Sequence, residues 1–391
     1  MRVCLFCHSL VSDWNHGNAH FLRGVVRELI RLGHDVRVYE PADGWSRRHL
    51  AQEHGAAALQ WYEQAYPELS SITYEMDELD LEQAIGAAHL VLVHEWTDPA
   101  LVNRIATHHA RHPRERRRIL FHDTHHRSIT RPEALAALEL MRYDGVLAFG
   151  RIVAEHYRAQ GWARRVWVWH EAADTSVFRP RPGIEPQADL VWIGNWGDEE
   201  RTAELETFLL EPARKLGLSG TVYGVRYPRA ARTALRRAGL RYGGYLPNHR
   251  VPAVMAQHRM TVHVPRRPYV ATLPGIPTIR PFEALACGMP LVSAPWRDDE
   301  ALFEVGRDFL MVHDGAAMTR ALQQLRDAPA QRRRLAQHGR SCIMRHHTVA
   351  HRVCELLAIC RELDLPTTPE RAAHAPARAH RQDHHTIARP G

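Results

Sequence analysis

Apolar and polar positions along the chain alternate between two periods. Met1 to Cys7 is an unbroken apolar run interrupted only by Arg2, which reads as a buried strand. His8 to Asn18 is polar and loop-like, and Ala19 to Leu32 spaces its apolar residues three and four apart, as an amphipathic helix does. Gly33 stands where such a helix ends, and His34 to Tyr39 supplies the next strand. Strand-like runs recur at His89 to His94, Arg118 to His122, Gly145 to Phe149 and Arg165 to Trp169. Helix-length segments such as Pro132 to Arg142 and Arg151 to Gln160 lie between them. Strands alternating with helices predict a parallel sheet covered on both faces.

The stretch His170 to Gly183 is dense in proline and turn residues and reads as a linker. A second alternating series follows. Its strands are expected at Asp189 to Ile193, Gly220 to Tyr223, Met260 to Val264, Leu291 to Ala294 and Phe309 to Val312. Its helices are expected at Arg201 to Lys215, Arg229 to Ala238, Val251 to Gln257, Arg280 to Cys287 and Gly315 to Arg326. A long helical segment, Ala330 to Leu363, breaks near His346-His347-Thr348. From Thr367 to Gly391 large apolar residues are nearly absent, which predicts a disordered tail. Two α/β domains joined by one linker fit this pattern, with a ligand site in the cleft beyond the carboxyl ends of their strands.

Composition narrows the classes. The 391 residues are 45% apolar and 24% charged, enough for two cores. No apolar stretch is long enough for a membrane helix and Met1 to Leu10 lacks a signal-peptide pattern, so the expected compartment is the cytoplasm. The formal charge of +7 favours anionic partners. The arginines are spread along the whole length, which suits phosphates or peripheral contact with an anionic membrane face better than specific nucleic-acid binding. Six cysteines form no disulfide framework, and Cys4 and Cys7 sit within a strand, not at the start of a helix as a redox pair would.

The most specific stretch is Gly275-Ile-Pro-Thr-Ile-Arg-Pro-Phe-Glu-Ala-Leu-Ala-Cys-Gly-Met-Pro-Leu-Val292, a glycine-containing loop that opens a helix and leads by a Gly-x-Pro turn into a strand. Unpaired backbone N–H groups near Thr278 to Arg280 suit a diphosphate, Arg280 adds a charged donor, and Glu283 can accept from two ribose hydroxyls. A plain helix-terminal pair between Arg280 and Glu283 is the competing reading. No Asp-x-Asp stands at a strand end. The histidine groups His108-His109-Ala-Arg-His112 and His346-His347 with His351 have helical spacing, but no glutamate or cysteine in the neighbouring sequence completes a metal set. Trp167 and Trp169 read as core residues, while Trp196 can stack on a base or acceptor.

This segment resembles the nucleotide-binding signature of GT-B glycosyltransferases, in detail the CgeB-like (spore maturation protein type) branch related to family 4. Five further stretches agree: the glycine loop Ser12 to Gly24, the turn Leu32 to Val36, the linker Ala173 to Pro180, and the strand ends Leu190 to Asn195 with Arg201 and Tyr223 to Pro228. The resemblance covers residues 1 to 360 and implies two Rossmann-like domains around a deep cleft, with a C-terminal helix crossing back to the N-terminal domain. The implied division is 1–170 for the acceptor-side domain, 171–185 for the linker, 186–344 for the nucleotide-sugar domain, 345–366 for the returning helix and 367–391 for the tail.

The implied activity is transfer of a hexosyl unit, with retention and without a metal, from a UDP-, GDP- or TDP-sugar to an unknown acceptor, with no tightly bound cofactor. Arg201, Arg280 and the amides at Thr278 would stabilise charge on the leaving diphosphate. Gly194, Asn195, Tyr223, Gly224, Arg266, Gly275, Ile276, Pro277 and Glu283 complete the expected donor set. Asn15, His16, Gly17 and Asn18 form the acceptor-side loop. His122 and Asp123 map near the reacting sugar, as a general base in an inverting enzyme or as groups orienting hydroxyls in a retaining one, with helix capping by Asp123 as the structural alternative. Where many family 4 enzymes carry a second glutamate, this chain has Gly275, which leaves open a catalytically silent nucleotide-sugar-binding scaffold; a sugar-nucleotide epimerase shares the architecture.

Overall fold

A computed structural model describes residues 1–113, 116–197 and 199–368. The expected tail falls almost wholly outside the described residues. Seven strands form the first sheet: β1 Arg2–Phe6, β2 Asp35–Pro41, β3 Ile72–Tyr74, β4 Leu90–His94, β5 Arg118–Asp123, β6 Gly145–Ala148 and β7 Val166–Val168, in the order β3-β2-β1-β4-β5-β6-β7. Six form the second: β8 Ala188–Ile193, β9 Gly220–Tyr223, β10 Leu240–Gly244, β11 His258–His263, β12 Leu291–Ser293 and β13 Leu310–Met311, in the order β10-β9-β8-β11-β12-β13. Every pairing is parallel. Strand order reverses beside β1 in one sheet and beside β8 in the other, and crevices open at such points.

The helices follow the expected periodicity where tertiary contacts do not intervene. Ala19–Arg31 buries Phe21, Leu22, Val25, Val26 and Leu29. The expected helix at Pro132 to Arg142 shortens to Pro132–Ala136 and a 3-10 turn at Leu140–Arg142. There the Asn103 amide takes over backbone groups, donating to Ala137 O at 3.1 Å and accepting from Glu139 N at 2.8 Å. The helix expected from Arg201 contains a π-helical segment, Glu206–Leu210, before Pro212. Pro212 has no N–H to continue the regular ladder, and the extra residue absorbs the mismatch.

The lobes meet through one continuous core in which Leu5, Phe21 and Phe178 join Ile279, Phe282 and Val353. Val349–Glu362, started by the Thr348 side chain accepting from His351 N, returns across the first lobe against Ala19–Arg31. Trp169 Nε1 donates to Arg352 O at 2.8 Å and Arg118 Nε donates to Leu363 O at 3.0 Å, fixing that crossing. No described helix is long and apolar enough to cross a membrane.

Candidate active site between the lobes

A cavity of about 640 Å³ opens where the carboxyl ends of the two sheets face one another, a size within the range that takes small-molecule ligands. From the first lobe it is lined by Asn15 to Asn18 after β1, Trp96 after β4, Thr124 to Arg127 after β5, and Glu171. From the second it is lined by Gly194, Asn195 and Arg201 after β8, Gly224 to Arg226 after β9, Tyr245, Leu246 and Asn248 after β10, Arg266 and Tyr269 after β11, and Thr278 to Arg280. The lobes touch directly across it. Asp13 accepts from the Tyr245 hydroxyl and from Asn248 N at 3.1 Å while pairing with Arg23 at 2.8 Å, and Asn195 donates to Asn15.

The second lobe's wall gathers positive charge at the start of a helix. Ile279–Ala286 begins at the cavity, and its N-cap Thr278 caps nothing: its hydroxyl is 3.1 Å from His263 Nε2. The first N–H groups of the helix therefore remain to be satisfied there. Arg201 is half-buried, donates to the carbonyls of Val264 at 3.1 Å and of Asn195, and lies 5.0 Å from the centre of the Trp192 ring. Burial first, then the neighbouring Arg266 and Arg280, push its pKa down to about 9. Arg266 pairs with Glu200 at 3.1 Å and Arg280 with Glu283. Gly224 lets β9 come this close, since its φ is +154° and a Cβ would overlap the Gly194 carbonyl.

The first lobe supplies buried proton-carrying groups. His16 lines the cavity with Nε2 unpartnered, and burial first, then His8 and Arg23, hold its pKa well below the ordinary value. Behind it the rings of His94 and His122 follow, with centres 6.1 and 5.3 Å apart in turn. Burial lowers His122 to about 3. Glu171 is 4% exposed, with Oε1 unpartnered. Burial, then the charges of Glu283 and Glu95, raise its pKa well above the carboxylate range. Glu95 accepts from Thr124 Oγ1 at 2.9 Å and pairs with Arg127 at 3.1 Å, and burial and Asp123 raise it to about 8.

Of the residues singled out in the sequence, Asn15, His16, Gly17, Asn18, Gly194, Asn195, Arg201, Gly224, Arg266, Thr278 and Arg280 are brought together on the cavity wall. The others lie behind it. Glu283 is fully buried, with one oxygen paired to Arg280 and the other 2.8 Å from His20 Nδ1 of the first lobe, and does not line the cavity. Asp123 is 1% exposed, accepting from the Tyr157 hydroxyl at 3.0 Å and His125 N at 3.1 Å. His122 packs against Trp169, 4.7 Å between ring centres, and neither residue reaches the cavity. Tyr223, Ile276 and Pro277 also stand off the wall. Gly275 has φ +90°, and a Cβ would meet Glu300 Cγ at 2.8 Å. Glu300 is itself held by His170 at 2.8 Å and Arg151 N at 2.7 Å, so a glutamate at position 275 has no place here. Trp196 is buried against Tyr227 and does not line the cavity.

Glu171, Trp96, Tyr245 and Tyr269 were missed in the sequence. Glu171 hid in the proline-rich linker, while the rest carry no local motif and gain meaning only from the facing lobe.

Residues 201–358 match the family model described as Glycosyl transferase-like. No curated protein sequence matches the chain. Among solved structures, a sucrose-phosphate synthase from Thermosynechococcus elongatus superposes with a TM-score of 0.65 at 14% identity, over 93% of this chain and 99% of that one. Anabaena HepE in complex with UDP and glucose gives 0.65 at 13% identity, over 92% and 99%. An alpha-glucosyltransferase in complex with UDP-glucose and DNA containing an abasic site gives 0.67 at 14% identity, over 92% and 99%. The fold is the two-lobed GT-B architecture of glycosyltransferases.

Proposed function

We propose that this chain is a GT-B glycosyltransferase of the CgeB-like branch related to family 4, acting in the cytoplasm, that moves a hexosyl unit from a nucleoside diphosphate sugar to an acceptor held in the cleft. The observation that carries this is the meeting of Arg201, Arg266 and Arg280 with the helix start at Thr278 on the cavity wall. Arg266 and Arg280 pair with Glu200 and Glu283, whereas Arg201 has only backbone carbonyls, and a diphosphate supplies the negative charge that it lacks. As the glycosidic bond breaks, negative charge grows on the departing β-phosphate, and donors already fixed there favour the transition state. No divalent ion is needed to balance that charge. UDP or UDP-glucose in the structures of two of the relatives above favours a uridine donor.

In this reading the base lies against Val225 and Leu246, and the sugar lies toward Gly17, Asn18 and Glu171. Glu283 is a positioning residue that orients Arg280. Asp123 holds the turn to His125, and His122 supports the floor. Retention is the proposed outcome. His16 favours a second reading: its neutral Nε2, unpartnered at the cavity, suits a general base and hence inversion.

The test is incubation with UDP-, GDP- and TDP-hexoses over an acceptor panel, following nucleotide release and the anomeric configuration of the product. Turnover that disappears in Arg280→Ala supports the proposal. Nucleotide binding without release across the panel points to a silent scaffold, and donor conversion without acceptor to an epimerase. An α-product from an α-donor fits retention, and a β-product that requires His16 fits inversion.

A further inference from the structure

The first lobe carries a cluster that the cleft does not use. Pro99–Arg111 ends with His108 one turn before His112, and Leu81–Ile85 brings Glu82 alongside. The ligand atoms of Glu82, His108 and His112 all lie within 4.8 Å of one another. His108 Nε2 is 3.3 Å from Glu82 Oε2, and the two imidazole centres are 4.4 Å apart. His112 Nδ1 is 2.8 Å from the His108 carbonyl. A carbonyl only accepts, so Nδ1 carries the proton and Nε2 keeps its lone pair, the tautomer a metal requires.

We propose that Glu82, His108 and His112 form a binding site for a borderline divalent transition metal, zinc by preference, with water completing a tetrahedral shell. Two imidazoles and one carboxylate suit zinc, and His108 in the last turn and His112 at the C-cap bring their rings side by side. The sequence shows the histidine pair but not the carboxylate, which comes from a different helix. The site lies at the end of the first sheet where the central strands β4 and β5 begin, opposite the cleft at their carboxyl ends. A bound ion ties the two helices together and strengthens the fold without entering the chemistry of the cleft.

The test uses the full-length chain, freed of metal with a chelator. Zn²⁺ is titrated calorimetrically and Co²⁺ is followed by visible absorption. The wild type is expected to bind one saturable equivalent more than His108→Gln or His112→Gln, with a tetrahedral Co²⁺ spectrum and a higher unfolding midpoint when zinc is present. Glu82→Gln should weaken that equivalent by at least about tenfold. His109→Gln, which alters a neighbour paired with Asp144 instead, should retain it. Equal far-UV circular dichroism and equal metal-free midpoints establish that the variants fold. The same stoichiometry in wild type and His108→Gln, including binding confined to the histidine-containing tail, overturns the proposal.

Discussion

Arg201 has no carboxylate partner among the described residues, only two backbone carbonyls and an indole face, while Arg266 and Arg280 press their charges upon it. In the proposed function a diphosphate relieves that repulsion. Losing one charged donor should therefore cost about 1.5–3 kcal/mol of binding, so Arg280→Ala and Arg201→Ala are each expected to weaken a nucleoside diphosphate roughly 10- to 100-fold by calorimetry. Glu171 makes a different prediction. Its folded pKa lies above the unfolded value, so the native state binds the extra proton and stability falls as pH rises above about 4.5. Glu171→Gln removes that slope, and its gain in unfolding midpoint over wild type should grow from pH 5 to pH 8. At this scale Arg201 and Arg280 were readable because each follows a strand end or opens a helix with a recognisable pattern. The burial of Glu283 was not readable, since the partner that completes it, His20, stands in the other half of the chain.

The helix Val349–Glu362 shows how an element can belong to one lobe by sequence and to the other by packing. Its buried Val353, Leu356 and Ile359 join the continuous core shared by the lobes. Leu356→Ala should thus destabilise by about 2–5 kcal/mol, seen as a shift of the denaturant midpoint with little change in slope. The major strands and this helix were legible from periodicity alone. β3 and β10 were not: they are short edge strands with several exposed positions, so the apolar signal is weak. Trp45–His54 escaped notice because polar residues dominate it and only Ser46 and Leu50 are buried. The walls of the cavity were legible as strand ends, whereas the contacts of Asp13 with Tyr245 and Asn248 depend on how the lobes close.

Across the whole molecule, burial keeps many histidines neutral. His16, His94, His122, His125, His263 and His347 all have folded pKa values below the ordinary 6.5. The unfolded chain takes up protons first as pH falls, so the stability they contribute is complete above pH 6.5 and is lost below it. Glu95, Asp123 and Glu171 act oppositely, with raised pKa values that cost stability as pH climbs. The histidines outnumber them in acid, while the carboxylates dominate the slope above 6.5. Thermal unfolding without nucleotide should therefore be most resistant near pH 6.5 and weaken on both sides, more steeply toward acid. A midpoint still rising at pH 5 would contradict this balance.

A crystal structure with UDP, or with whichever nucleoside diphosphate binds, tests the central claim most directly. The predicted result is a pyrophosphate resting on the N–H groups at Thr278 to Arg280, with the guanidinium groups of Arg201 and Arg280 on its oxygens and the β-phosphate turned toward Gly17. A nucleotide seated elsewhere, with these arginines touching only protein, would contradict it.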